Sequence, residues 1–156
     1  MEILIVCTAI ACAAMGGVFF AFSSFVMRAL ARMPPAQGIA AMQSINVMAV
    51  TPVFMTALFG TAAACLVVAA GAVSEWRGVT SIYMLAGSLS YVIGAIVVTI
   101  ACNVPLNNAL MAIDPQNGEA VWLRYLRQWT AWNHVRTVSG LLAAGLLMLA
   151  IMRPGP

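Results

Sequence analysis

The sequence predicts an all-α integral membrane protein, a four-helix bundle with short helices in its loops and an extended fourth helix. Two observations carry this. Of 156 residues, 63% are hydrophobic and only 7% charged, with a mean hydropathy of +1.01, whereas a soluble domain charges roughly a quarter of its residues. Four runs nearly free of charge are long enough to cross the hydrocarbon core, which takes about 20 residues as a helix. None alternates strictly as a barrel strand would, and a helix satisfies its own backbone in lipid. The length suits a single transmembrane domain over residues 1–156.

The first span is read from residue 3 to 27, uncharged until Arg28. Its start, "MEILIV", lacks a basic segment and the apolar run is too long for a typical signal peptide, so it is expected to be retained. Loop one, from Arg28 to Val50, holds the helix-starting "PPAQ" and a short amphipathic segment through Met42, Ile45 and Met48. The second span covers about 51–73 and the third about 79–102, joined by the tight "SEWRG". Loop three runs from Asn103 to about His134. Its "DPQNGE" reads as a break and a helix start, with Asn117 as candidate cap and Glu119 near the positive end of the helix dipole. A helix begun there meets no Gly or Pro before Ser139, so the fourth span, about 135–152, is expected to project beyond the bilayer.

Four spans place both termini on one side. Arg28, Arg32, Arg124, Arg127 and Arg136 belong to loops one and three or their boundary, against Arg77 and Arg153 on the other side. The positive-inside rule then puts loops one and three in the cytoplasm and both termini outside, across the inner membrane if the cell is bacterial. The net charge of +3 is scattered and forms no basic stripe, which argues against a nucleic-acid partner.

Cys7, Cys12, Cys65 and Cys102 lie in or at the ends of spans without a Cys-x-x-Cys pair, so they read as packing thiols, not as a zinc site or redox dithiol. The eleven methionines read as gap-fillers, with Met42 and Met48 placed to line an apolar pocket. "GTAAA" and "SGLLAAG" fit close helix packing.

Chemistry is sought where polarity is expensive. At 100 degrees per residue, Tyr125, Trp129, Trp132, Asn133, Arg136 and Gly140 share one helix face. The plain structural alternative is an interfacial aromatic belt with a snorkelling arginine; the functional one is a polar pocket, since ionisable groups within spans usually face an interior. His134 is the only histidine, a candidate base or ligand, although its azimuth lies about 100 degrees from Asn133. No second metal ligand accompanies it, and haem through one axial histidine would lack an attachment motif. The other constellation is "CNVPLNNAL", where Pro105 is expected to bias Val104 away from helix and Asn103, Asn107 and Asn108 offer amides, as caps or as pocket groups. Antiparallel spans would bring Asn103 and Asn107 toward the level of Asn133 and Arg136.

With "NVPLNNAL" at 103–110, "WLRYLRQWTAWNHVRTVSGLLA" at 122–143 and "GGVFFAFSSFVM" at 16–27, nearly the whole chain resembles the anthrone oxygenase-like family of small four-helix membrane proteins. The motif positions are Asn103, Pro105, Asn107, Trp129, Trp132, Asn133 and Arg136. The resemblance implies oxidation of an anthrone-like aromatic or phenolic substrate to a quinone by molecular oxygen, through an enolate-like anion. On that basis Trp129 and Trp132 form an aromatic slot, Asn133 and Arg136 stabilise the oxyanion, and His134 or a water held by Asn103 and Asn107 is the base. Candidate catalytic residues are thus His134, Arg136 and Asn133; candidate substrate-binding residues are Asn103, Asn107, Tyr125, Trp129 and Trp132. No metal ligand is assigned and the cofactor is unknown.

Two alternatives stay open. One is a non-enzymatic membrane binding or accessory protein in which Arg136 holds a lipid or hydrophobic metabolite as a fixed anion ligand. The other is a haem or metal redox protein. Expected partners are the membrane and a hydrophobic small molecule or lipid, with pairing into a homodimer left open.

Overall fold

A computed structural model describes residues 1–153. Among them there is no strand, and four helices have membrane-crossing length and composition: α1 (Glu2–Ala31), α3 (Pro52–Ser74), α4 (Val79–Met111) and α5 (Glu119–Met152). Loop one contributes α2 (Pro35–Met48), begun by Pro35 at its first position. Thr51 caps α3 by accepting from the Phe54 N–H at 3.3 Å. The α3–α4 turn uses Gly78 at φ +57°, a left-handed conformation that favours glycine.

The bundle is apolar inside and outside. Its interior packs Ile5, Cys12, Phe19, Leu58, Val68, Tyr91 and Leu147, whereas Ile10, Phe20, Val67, Ile82, Ile93 and Val138 stand exposed on the outer faces. So much outward apolar surface is stable only against acyl chains. The protein is therefore an integral membrane four-helix bundle. With 34 residues, α5 is about 51 Å long against a hydrocarbon core of about 30 Å, so it extends well past the bilayer. Its projecting half builds a second core with α1, α2 and α4, in which Met27, Ile39, Met42, Leu110, Trp122, Tyr125 and Trp129 are buried. Gln43 ties α2 to this end, its Nε2 donating to the carbonyls of Leu110 at 2.9 Å and Ile113 at 3.1 Å.

Three expectations are corrected. Val104 is helical, not extended; wide π turns over Val92–Val97 and Thr99–Asn103 loosen the ladder ahead of Pro105, so the ring is accommodated without ending α4. Loop three consequently shrinks to residues 112–118. Asn117 does not cap α5, whose preceding residue is Gly118; its amide instead donates to Asp114 Oδ2 at 3.1 Å. Asp114 also accepts from the Gln116 N–H, closing the short 3-10 turn Pro115–Asn117.

The antiparallel α1–α5 crossing depends on two glycines. A methyl group on Gly140 would lie 3.0 Å from the Gly16 Cα and 3.3 Å from its nitrogen, and backbone cannot yield as a side chain can. Gly140→Ala is therefore expected to destabilise the detergent-solubilised protein by about 1–3 kcal/mol, seen as a lowered Tm. Gly145→Ala, with nothing within 4 Å of the added methyl, is expected to leave Tm unchanged or raise it through helix propensity.

Candidate functional site

The face of α5 that turns inward carries Trp122, Tyr125, Trp129, Asn133, Arg136 and Gly140, all buried. Their spacing of three and four follows the helical repeat, so one continuous stripe meets α1 and α4. At the bilayer end of this stripe, Arg136 is only 7% exposed. Its position on α5 matches Phe19 and Thr99 on the neighbouring spans, about nine residues, or 13 Å, deeper than Arg28. It does not snorkel to water.

The guanidinium is held entirely by neutral groups. Nη2 donates to Asn133 Oδ1 at 2.7 Å and Nη1 to Thr99 Oγ1 at 3.3 Å. Its Cζ lies 4.5 Å from the Phe19 ring centroid and 5.0 Å from that of Trp129, distances at which the ring faces attract a cation. Nε has no partner. The only ion pair among the described residues is Arg77–Glu75 at the opposite end. Asn133 is fixed in turn, its Nδ2 donating to Phe19 O and Ser23 Oγ, both at 2.7 Å. Ser23 lies within a π turn over Phe22–Val26, a distortion often found at functional sites.

Arg136 borders a cavity of about 280 Å³ bounded by Phe19, Phe22, Met42, Phe54, Leu58, Trp129 and Asn133. Asn107 closes one side; its Oδ1 accepts from Tyr125 Oη at 2.9 Å and Trp129 Nε1 at 2.8 Å. Tyr125 and Trp129 are stacked, with centroids 6.1 Å apart. Asn103 sits behind this wall and donates to the Trp129 carbonyl at 3.3 Å. From α2, Asn46 brings an amide whose Nδ2 is buried without a partner. Val18, Phe59 and Ile100 also line the cavity and are exposed on the bundle's outer surface, so its rim reaches the lipid-facing side.

Six of the eight candidate residues thus come together: Asn103, Asn107, Tyr125, Trp129, Asn133 and Arg136. Trp132 does not join them. It lies at the edge of the inward arc, 41% exposed, and lines no part of the cavity. His134 faces elsewhere as well, exposed in a surface groove with Arg28 and Arg127. Met42 lines the cavity while Met48 is exposed. Phe19, Ser23, Asn46 and Thr99 were not singled out from the sequence, although a small polar residue inside an apolar span, as at Ser23 and Thr99, is the signal that would have found two of them.

A model of the anthrone oxygenase family matches residues 50–146. The chain belongs to the anthrone oxygenase family. The match takes in the α3, α4 and α5 contributions to the cavity, including Thr99, Asn107, Trp129, Asn133 and Arg136; the first-span motif "GGVFFAFSSFVM" lies outside it. No curated protein and no solved structure matches the chain. Among the described residues, no group of three or more His, Cys, Asp or Glu side chains is placed to hold a metal ion.

An uncompensated buried cation is a poor way to stabilise a fold and a good way to bind an anion. Arg136→Met removes the charge and leaves no partner ion behind, only the buried Asn133 Oδ1 without its donor, and is therefore expected to lower stability in detergent by no more than about 1–3 kcal/mol. Asn133→Leu removes the 2.7 Å acceptor from a retained guanidinium and is expected to cost about 1.5–3 kcal/mol, measured by thermal or denaturant unfolding.

Proposed function

We propose that this member of the anthrone oxygenase family oxidises a planar, hydrophobic, enolisable aromatic substrate of the anthrone type with molecular oxygen inside the Arg136 cavity. The observation that carries the reading is the buried guanidinium, unpaired with any carboxylate, beside an aromatic-walled space. At about 280 Å³ the space lies near the lower end of ligand pockets, roughly 300–1,000 Å³, which suits a molecule of two or three fused rings. Phe19, Phe22 and Trp129 supply ring faces; the rim among Val18, Phe59 and Ile100 gives a lipid-dissolved substrate a way in.

The lining contains no carboxylate or imidazole. Ionisation is therefore driven by the cation: Arg136 stabilises the enolate oxygen as the ring CH₂ loses a proton to water, and the low-dielectric surroundings strengthen that attraction. The enolate carbon passes one electron to O₂, the radical pair combines, and a carbon peroxide anion results. Loss of hydroxide from that peroxide, with the remaining hydrogen on the same carbon leaving in it, forms the new carbonyl. The hydroxide takes up the proton released first, so CH₂ and O₂ become C=O and H₂O. Asn133 keeps the guanidinium aimed, and Asn107 keeps the Trp129 ring in place.

The same absence of a resident base favours a second reading, a membrane binding protein that holds a hydrophobic anion on Arg136 without turning it over. In either reading the arginines at this end, Arg28, Arg32, Arg124 and Arg127, favour a cytoplasmic orientation for it.

Detergent-purified protein supplied with a hydroxylated anthrone in air is expected to consume O₂ and form quinone faster than the uncatalysed reaction. Arg136→Ala is expected to lower turnover about 10²–10³-fold, as for loss of an oxyanion donor, while Trp132→Phe stays near the parent rate. A background rate with the parent protein that nonetheless binds the anthrone would move the assignment to the binding reading.

A further inference from the structure

The face of α5 opposite the cavity forms a groove of about 390 Å³ against α1, lined by Ser23, Met27, Arg28, Arg127, Thr130 and His134. It absorbs the one histidine that the cavity leaves out. The helices run antiparallel here, with Gly140 on Gly16 and Asn133 bonded to Phe19 and Ser23. Arg28 lies five residues beyond Ser23 and Arg127 six before Asn133, which sets the two arginines at the same depth. His134 sits beside Ser23, about 10 Å farther into the bilayer.

We propose that this groove binds an anionic phospholipid, with the phosphate between Arg28 and Arg127 and the ester region against Thr130 and His134, over a floor formed by Met27, Leu126 and Ala131. Charge complementarity identifies the occupant. Two arginines and a histidine line the groove without any acidic side chain, and neither arginine forms an ion pair among the described residues. All three are exposed, so the groove is accessible from the bilayer. The two arginines lie outermost, and Thr130 and His134 lie about one and two turns deeper, the order of phosphate and ester in a leaflet, whose headgroup layer is roughly 5–8 Å deep. The groove lies on the outside of the helix pair whose inner faces build the cavity, with the Ser23–Asn133 hydrogen bond between them, so lipid and substrate would occupy separate sites.

The test is native mass spectrometry of the full chain equilibrated with mixed micelles of phosphatidylcholine and phosphatidylglycerol. Preferential retention of one phosphatidylglycerol is expected. Arg28→Gln and Arg127→Gln should each reduce that retention about fivefold, equivalent to about 1 kcal/mol per basic residue near an anionic headgroup. Arg124→Gln, exposed at the same end of α5 but outside the groove, should leave it unchanged. Equal retention of the two lipids overturns the proposal. So does an equal loss with Arg124→Gln, which would reduce the effect to diffuse surface charge. Displacement by inorganic phosphate as effective as by the lipid, or a dimer that dissociates on Arg28→Gln, would assign the groove to a free anion or to a second copy of the chain and overturn it too.

Discussion

The Arg136 guanidinium lies at membrane depth between the Phe19 and Trp129 rings, with Asn133 and Thr99 as its hydrogen-bond partners and, among the described residues, no carboxylate to neutralise it. Placing an arginine at the centre of a span costs about 2.5–3.5 kcal/mol on insertion scales. A desolvated cation–π contact contributes about 2 kcal/mol and a hydrogen bond to a charged group about 1.5–3 kcal/mol. Neutral dipoles and ring faces are thus of the right size to hold the charge, and they do so without cancelling it. An acidic partner would have held it more firmly and left nothing for a ligand.

Much of the surrounding architecture follows from that choice. Asn133 presents its oxygen to Arg136 only because its nitrogen is engaged by Phe19 and Ser23 on α1. That engagement requires α1 and α5 to be close, which the Gly16–Gly140 crossing permits one to two turns deeper. On the other side, Thr99 belongs to one of the π turns of α4, and the Asn107 amide that receives Tyr125 and Trp129 lies one turn beyond. The α2 helix then covers the bundle end with Met42 and Asn46, anchored through Gln43 to carbonyls at the end of α4.

The spans were legible because bilayer thickness fixes their length, and the inward stripe of α5 was legible because the helical repeat does not drift over Tyr125, Trp129, Asn133 and Arg136. Both arguments fail at their edges. Trp132 is within the arc by angle yet falls outside the contact with α1 and α4, since periodicity gives direction but not the width of the buried surface. Pro105 misled because a proline rule assumes an α-helical ladder, and the preceding π turns alter it. Phe19 and Asn46 were hidden for a different reason: each reaches the cavity from another helix, and which helices are neighbours is not encoded in the pattern of any one of them.

A membrane pocket of this kind also fits the proposed chemistry on physical grounds. Both proposed reactants, a fused-ring aromatic and O₂, are apolar and concentrate in hydrocarbon, so the chain need not attract either by charge. The difficult species is the enolate, which lipid alone would disfavour strongly. One fixed cation in a low-dielectric site acts on that species and hardly on the neutral substrate, which is the differential binding that accelerates a step. A protein with only 7% charged residues can therefore carry such a reaction with a single buried charge, provided that the charge is kept both dry and unpaired.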